Sequence, residues 1–332
     1  MGVRDTIILN RQDLRYLLID SLRLYSDNVV FIDGNNPYRF AVNKKTFYVL
    51  IKNVHESGHG RGNQDECRIQ VSKSNSFNLA LNSSNPVIVL GYFADENVFT
   101  AWNPFMMRDR FNTRDTISLY SRFSVQKNAS REKIDSYVDN NNQSIISFVP
   151  DYLGLYLDNL ESIHLLTKDE LSKLVLKSDD LNSINSNGEF KTNEQVLTIN
   201  HSRQTRDPNF RLKVYDAYNH KCAMCGIGLE LIEAAHIVPH SHDQGTDEVT
   251  NGISLCSLHH KAYDRSLIYF DKEFKIHLNE NKVEYLEKVG KDSGIFKFTK
   301  QLFEEIKLPL NRTLHPNPNN ILIANESRGI II

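Results

Sequence analysis

Three cysteines and a histidine at two short spacings constrain this chain of 332 residues more than any other feature. Cys222 and Cys225 are three positions apart, and Gly226 frees the backbone to turn directly after them. Cys256 and His259 have the same spacing, which puts them on one face if they open a helix. Three thiolates and an imidazole complete a tetrahedral zinc site, and a redox pair would not need the second pair. We therefore predict a structural Zn²⁺ site.

A two-Cys, two-His zinc finger is the alternative. It would use Cys222, Cys225, His236 and His240, with ten residues between the second cysteine and the first histidine. That spacer is shorter than the usual one of about twelve. Pro239 also lies between the two histidines, where such a finger needs a continuous helix. The three-cysteine site is the better interpretation.

A second group of polar residues is not used by the zinc. His236 lies in a strand-like segment, Asn251 in a turn before Gly252, and His260 beside the predicted zinc ligand His259. His260 points about 100° away from its neighbour around a helix, and Asp264 shares its face four residues on. A histidine on a strand, an asparagine in a loop and a His/Asp pair on a helix can together surround an open metal site. Taken alone, His236 would instead be interpreted as a buried core residue.

These motifs together resemble an HNH nuclease domain of the ββα-metal class. The resemblance covers about residues 206–267, which are similar to the nuclease domains of McrA-like and other HNH restriction endonucleases. The hallmarks are listed in chain order: Cys222-Ala223-Met224-Cys225-Gly226, Glu233-Ala234-Ala235-His236-Ile237-Val238-Pro239, Asn251-Gly252-Ile253-Ser254-Leu255-Cys256 and His259-His260-Lys261-Ala262-Tyr263-Asp264.

The resemblance implies roles for individual residues. His236 corresponds to the histidine that activates the attacking water, and Asn251 to the residue that orients the loop carrying it. His260 corresponds to the ligand of a catalytic Mg²⁺ or another divalent ion, with Asp264 as a second ligand. One departure is Ala235, because many HNH enzymes have a metal-binding aspartate there. Substrate phosphate and water would then complete the ion's coordination.

The remainder of the chain predicts an α+β protein. The pattern indicates a mixed α/β domain over 1–178, a polar linker over 179–196, and the zinc-stabilised ββα-metal HNH domain with a C-terminal extension over 197–332. A capping box at Asn10 and Asp13 predicts a first helix over 11–25, and β-rich runs follow until about 123. Helices are expected over about 129–139 and 149–163.

Charge and hydropathy limit the function classes. Lys and Arg number 39 against 41 Asp and Glu, so a uniformly basic nucleic-acid coat is excluded. A local basic patch is not, and Arg206, Arg211 and Lys213 around a predicted helix are candidate DNA contacts. No apolar run reaches the roughly 20 residues of a membrane span, and we expect a cytoplasmic protein without membrane contact.

The leading hypothesis is a DNA endonuclease of a restriction or phage-defence system. The HNH site would hydrolyse phosphodiester bonds of double-stranded DNA, and the N-terminal domain would choose the target, including modified DNA. A homodimer is expected when both strands are cut. The alternatives are a signal-activated defence nuclease with little sequence specificity and a non-catalytic zinc module that binds DNA.

Overall fold

A computed structural model describes residues 7–26, 29–43, 45–56, 64–183, 187–192, 194–200, 208–239 and 242–330. Arg206 and His240 lie outside the described residues. Contacts divide the chain into two units. The first consists of Met1–Asp27, Asp33–Phe40 and Lys45–Arg203, and the second of Asn28–Ile32, Ala41–Lys44 and Gln204–Ile332. The domain division inferred from the sequence stays a prediction.

The N-terminal part of the chain alternates strands and helices. In chain order these are α1 (Arg11–Tyr25), β1 (Val29–Asp33), β2 (Tyr38–Val42), β3 (Lys45–Asn53), β4 (His55–Glu56), β5 (Glu66–Ser72), α2 (Asn75–Asn82), β6 (Val87–Phe93), β7 (Val98–Ala101), α3 (Pro104–Thr113), β8 (Thr116–Arg122), α4 (Phe123–Asn128), β9 (Asp135–Val138), β10 (Ser144–Phe148), α5 (Leu153–Asp158), α6 (Lys168–Ser183), β11 (Gly188–Lys191) and β12 (Val196–Ile199).

Two sheets organise these elements. Seven strands form a mixed sheet in the order β1-β2-β3-β6-β7-β10-β9, and β4, β5 and β8 form a second sheet. The β3–β6 pair is parallel and the β6–β7 pair is antiparallel, so the large sheet is mixed. The capping box that begins α1 is also present, because the Asn10 and Asp13 side chains each accept the other residue's backbone N–H.

His164 is a buried histidine of this part of the chain. Its Nδ1 lies 2.8 Å from the carbonyl oxygen of Ser144, and its Nε2 lies 3.2 Å from the Tyr156 hydroxyl. The carbonyl accepts from Nδ1–H, so the hydroxyl donates to Nε2 and the ring is neutral. Burial lowers the pKa of His164 to about 4, against the weaker opposing effect of the Ser144 carbonyl.

One sequence-based expectation for this region is wrong, and another is confirmed only in part. Residues 129–139 are not a helix, because α4 ends at Asn128 and β9 pairs with β10 at the edge of the large sheet. Residues 149–163 are helical only in part, as a 3₁₀ turn at Pro150–Tyr152 followed by α5. Strand pairing at the sheet edge overrides the local helical pattern.

The segment 179–196 contains regular structure that its polar composition does not suggest. Helix α6 continues to Ser183, and the β11–β12 hairpin follows. Leu181 is buried, and a Cβ on Gly188 would lie 2.6 Å from its Cδ1. Alternate residues of β12, Leu197 and Ile199, are fully buried. A few apolar side chains at the right spacing are therefore enough to order this segment.

The second unit is built on a hairpin and a helix. Its elements are α7 (Pro208–Ala217), β13 (Ile232–His236), β14 (Gly252–Cys256), α8 (Ser257–Asp264), β15 (Ile268–Phe270), β16 (Ile276–Leu278), α9 (Glu280–Lys288), α10 (Ile295–Thr299) and α11 (Pro318–Ser327). Antiparallel β13 and β14 followed by α8 form the expected ββα arrangement. The fold class is confirmed. No helix within the described ranges is long and apolar enough to cross a membrane.

Candidate active site and metal centre

The turn that carries Cys222 and Cys225 is closed by its own backbone. Gly226 has a φ of +77° and donates its N–H to the Cys222 carbonyl at 2.8 Å. This left-handed conformation favours glycine, as the sequence predicted. Ala223 donates to the Ser254 carbonyl at 2.8 Å, which ties the turn to β14. Two cysteines are thereby presented to the end of that strand, where Cys256 precedes α8.

The four predicted zinc ligands converge. Their donor atoms all lie within 4.8 Å of one another, and no other group of three such residues in the described ranges does this. Sγ of Cys225 and Sγ of Cys256 are 3.9 Å apart, and Nδ1 of His259 lies 3.5 Å from Sγ of Cys222 and 3.3 Å from Sγ of Cys256. Zn–S bonds of about 2.3 Å and Zn–N bonds of about 2.0–2.1 Å give tetrahedral edges of about 3.8 Å and 3.5 Å. The donors therefore fit one tetrahedral ion, with Nδ1 as the histidine donor.

Burial also affects protonation at this cluster. It raises the pKa of the Cys222 thiol and raises that of Cys225 to about 12. It lowers the pKa of His259, which favours the neutral, ligand-competent imidazole. A cation that binds here must displace protons from the thiols, so metal binding and proton release are linked.

The other face of α8 carries His260 and Asp264, the two predicted ligands of the catalytic ion. His260 is buried, and its Nε2 lies 3.3 Å from Oδ2 of Asp264. Its Nδ1 lies 2.5 Å from Oε2 of Glu233, whose other carboxylate oxygen accepts from the Ser257 hydroxyl at 2.8 Å. His260 is therefore held between two carboxylates. A histidine that donates one N–H to a carboxylate and offers its other nitrogen to an ion is a common metal-site arrangement.

Glu233 is a site residue that sequence reasoning left aside. Side chains on a strand alternate between faces, so Glu233 and Ala235 point to the same side of β13. Ala235 is completely buried and offers no donor atom. The described chain thus brings the side chains of Glu233, His260 and Asp264 together, with the histidine between the two carboxylates. That donor set fits a divalent ion whose other ligands come from substrate and solvent.

His236 lies on the opposite face of β13, at the end of the hairpin where the connecting loop begins. Its register partner is Gly252, and its ring stacks on Phe210 of α7 at a centroid distance of 4.1 Å and an angle of 8°. A Cβ on Gly252 would lie 2.4 Å from Cγ2 of Val214 and 3.1 Å from the Phe210 ring. Gly252 therefore permits the close approach of α7 that places Phe210 against the histidine.

Asn251 holds the loop that joins β13 to β14. Its Oδ1 accepts the Val238 N–H at 2.9 Å, and its Nδ2 donates to the carbonyls of Val238 and Thr246 at 3.0 and 2.8 Å. The side chain is completely buried. Both arms of the loop are thus tied to one amide, as expected for a residue that orients the segment beside His236.

The C-terminal extension braces both sites, which the sequence did not indicate. Phe303 donates its N–H to the Met224 carbonyl at 2.8 Å, within the cysteine turn. Buried Arg328 donates to the Ile237 carbonyl at 3.2 Å, and its guanidinium lies 4.0 Å from the centroid of the Tyr263 ring. One arginine thereby links the end of β13 to helix α8.

The candidate DNA contacts are placed as follows. Arg211 and Lys213 are exposed on α7, while Phe210 and Val214 of the same helix are buried in the core of this unit. In the N-terminal part of the chain, the aromatic residues Tyr92, Phe99 and Trp102 are buried in the core.

Comparison with known families bears on both parts of the chain. The family model described as HNH endonuclease matches residues 222–271, which contain the hairpin, the four convergent donors and α8. Residues 222–271 are an HNH endonuclease domain. The protein is accordingly a hydrolase that cleaves phosphodiester bonds of DNA. Residues 45–157 match a second family, described as Methylase-associated X1.

Comparison with whole proteins adds little. No curated protein matches the chain. One solved structure, a modification-dependent TagI restriction endonuclease, is similar over 85% of this chain and 82% of its own, at 12% identity and a TM-score of 0.28. A TM-score this low supports no argument about the present chain.

Proposed function

We propose that this HNH endonuclease belongs to a restriction or phage-defence system, cuts double-stranded DNA, and has its target chosen by the N-terminal part of the chain. The observation that carries the nuclease chemistry is the pair of distinct histidine environments in one hairpin-and-helix unit. His236 lies at the strand end, and His260 lies between two carboxylates on α8. A zinc module that only binds DNA would need neither arrangement.

In the proposed reaction His236 accepts a proton from the attacking water. A neutral imidazole suits this role near pH 7. His260 and Asp264 would hold Mg²⁺ or another divalent ion, which would stabilise the charge that develops on the scissile phosphate. Asn251 fixes the loop beside the base, and a structural Zn²⁺ on the four convergent donors keeps α8 attached to the cysteine turn. Arg211 and Lys213 would contact the DNA backbone, together with Arg206.

The restriction context rests on the N-terminal family. Its description connects it with methylases, and a nuclease that acts beside a methylase is typical of a restriction system. The buried aromatic residues of this part cannot stack on a base without unfolding it. Target reading would therefore use exposed loops and arginines, and two chains would act together when both strands are cut.

A cleavage assay tests this proposal. Wild-type protein, His236→Ala and Arg211→Ala are incubated with Mg²⁺ and plasmids that carry or lack methylated bases. We expect wild-type cutting to depend on methylation, and His236→Ala to cut at least roughly 10²-fold more slowly with its DNA affinity kept. Arg211→Ala should weaken binding with a lower salt dependence. Full cutting by His236→Ala contradicts the assigned base, and cutting that ignores methylation favours a signal-activated nuclease.

A further inference from the structure

The loop between β13 and β14 brings a carboxylate onto His236. Nε2 of His236 lies 2.7 Å from Oδ1 of Asp247, eleven residues further along the chain. About a tenth of the histidine side chain is exposed, against 37% of the aspartate. The histidine is therefore shielded from water while the carboxylate stays accessible to solvent, and a hydrogen bond to an ionised carboxylate is charge-assisted.

The direction of this hydrogen bond follows from its partners. An ionised carboxylate only accepts, so Nε2 carries the proton and donates it to Asp247. In the neutral ring the lone pair then lies on Nδ1. A carboxylate that holds one imidazole tautomer in place makes the other nitrogen the base, and it stabilises the imidazolium that forms after proton transfer.

Two other contacts fix the positions of the His236 ring and of Asp247. The Phe210 ring stacks flat on His236 and fixes the plane of the imidazole. Asn251 donates to the carbonyl of Thr246, the residue before Asp247, and so anchors the aspartate's backbone. The ring plane and the position of the carboxylate are thus set by separate elements, α7 and the loop.

We propose that Asp247 is a positioning residue of the nuclease, which holds His236 in the tautomer whose Nδ1 accepts the proton of the attacking water. This inference rests on the proposed role of His236 as the base. Asp247 would be a functional residue that is not a metal ligand, and the β13–β14 loop would act in the reaction through its contact with His236.

The test compares Asp247→Asn with Asp243→Asn in the full-length protein. The control makes the same change in the same loop, at the exposed carboxylate of Asp243. We expect Asp247→Asn to lower kcat by roughly 10²- to 10⁴-fold with little change in KM, because tautomer and orientation are lost but DNA contacts remain. Asp243→Asn should match the wild type.

A spectroscopic readout separates positioning from general stability. Long-range ¹H–¹⁵N spectra distinguish histidine tautomers, and the His236 signals are identified by their loss in His236→Ala. We expect the wild-type ring to carry its proton on Nε2 and the Asp247→Asn ring to show a mixture. If His236→Ala is inactive while Asp247→Asn keeps full kcat and an unchanged tautomer, the role of Asp247 is refuted. If His236→Ala itself stays active, the proposed base is wrong instead.

Discussion

Gly252→Ala should destabilise the second unit by crowding a single packing contact. The new methyl carbon would lie 2.4 Å from Cγ2 of Val214 and 3.1 Å from two atoms of the Phe210 ring. Carbon atoms pack at about 3.5–4.0 Å, so α7 must move outward by about 1 Å. Overpacking of this kind costs about 1–3 kcal/mol. Because Phe210 moves with the helix, its stack on His236 is disturbed and kcat should fall as well.

A double-mutant cycle with Val214→Ala isolates that contact. Val214 is completely buried, and its truncation removes two methyl carbons at a cost of about 2 kcal/mol. In the double variant the alanine at 252 occupies part of the space that Val214 leaves. We therefore expect it to be about 0.5–3 kcal/mol more stable than the sum of the single effects predicts.

Urea unfolding followed by circular dichroism, with hydrogen exchange of the β13 and β14 amides, measures these free energies. Exchange reports on the hairpin itself, so it is not confused with unfolding of the N-terminal part. Additive effects of the two substitutions would contradict the packing argument. So would a Gly252→Ala protein whose hairpin exchanges at the wild-type rate.

Two further predictions concern the metal centre and a buried histidine. Atomic absorption should find about one zinc per chain. The His259→Ala variant should lose this zinc and the His260→Ala variant should keep it, because only His259 faces the thiols. Equal zinc content in both variants would contradict the assignment. His164 has a folded-state pKa of about 4, below its ordinary value near 6.5. Between these pH values the unfolded chain binds more protons than the folded chain. The free energy of unfolding therefore falls as the pH drops through that window, by up to about 3 kcal/mol. His164→Asn should remove this pH dependence, measured as the difference in unfolding free energy between urea titrations at pH 7 and pH 4.5. A difference as large as that of the wild type would refute the prediction.

Local chemistry made much of the nuclease unit predictable. The two Cys/His spacings identified the four convergent donors, and the His260/Asp264 spacing placed both residues on one helical face. Each of these predictions depends on residues within one turn or one helix, where geometry is fixed by the backbone.

The residues that sequence reasoning missed act across longer distances. Glu233 could have been found, because strand alternation puts it on the face of Ala235, two residues away. Asp247 could not, because its contact with His236 depends on the path of an irregular loop. The false helix over 129–139 failed for a related reason, since β9 is stabilised by its pairing with β10 rather than by its own propensity.

The last sixty residues of the chain pack on the hairpin, and this limits how the nuclease domain can be transferred to another protein. The family match ends at residue 271, yet Ile306, Ile321 and Ala324 belong to the same buried core as the hairpin. Excising the matched segment as a cassette would expose that apolar surface to water and remove the arginine that joins β13 to α8. A chimaera that borrows this nuclease for another recognition domain must therefore carry the chain through residue 330.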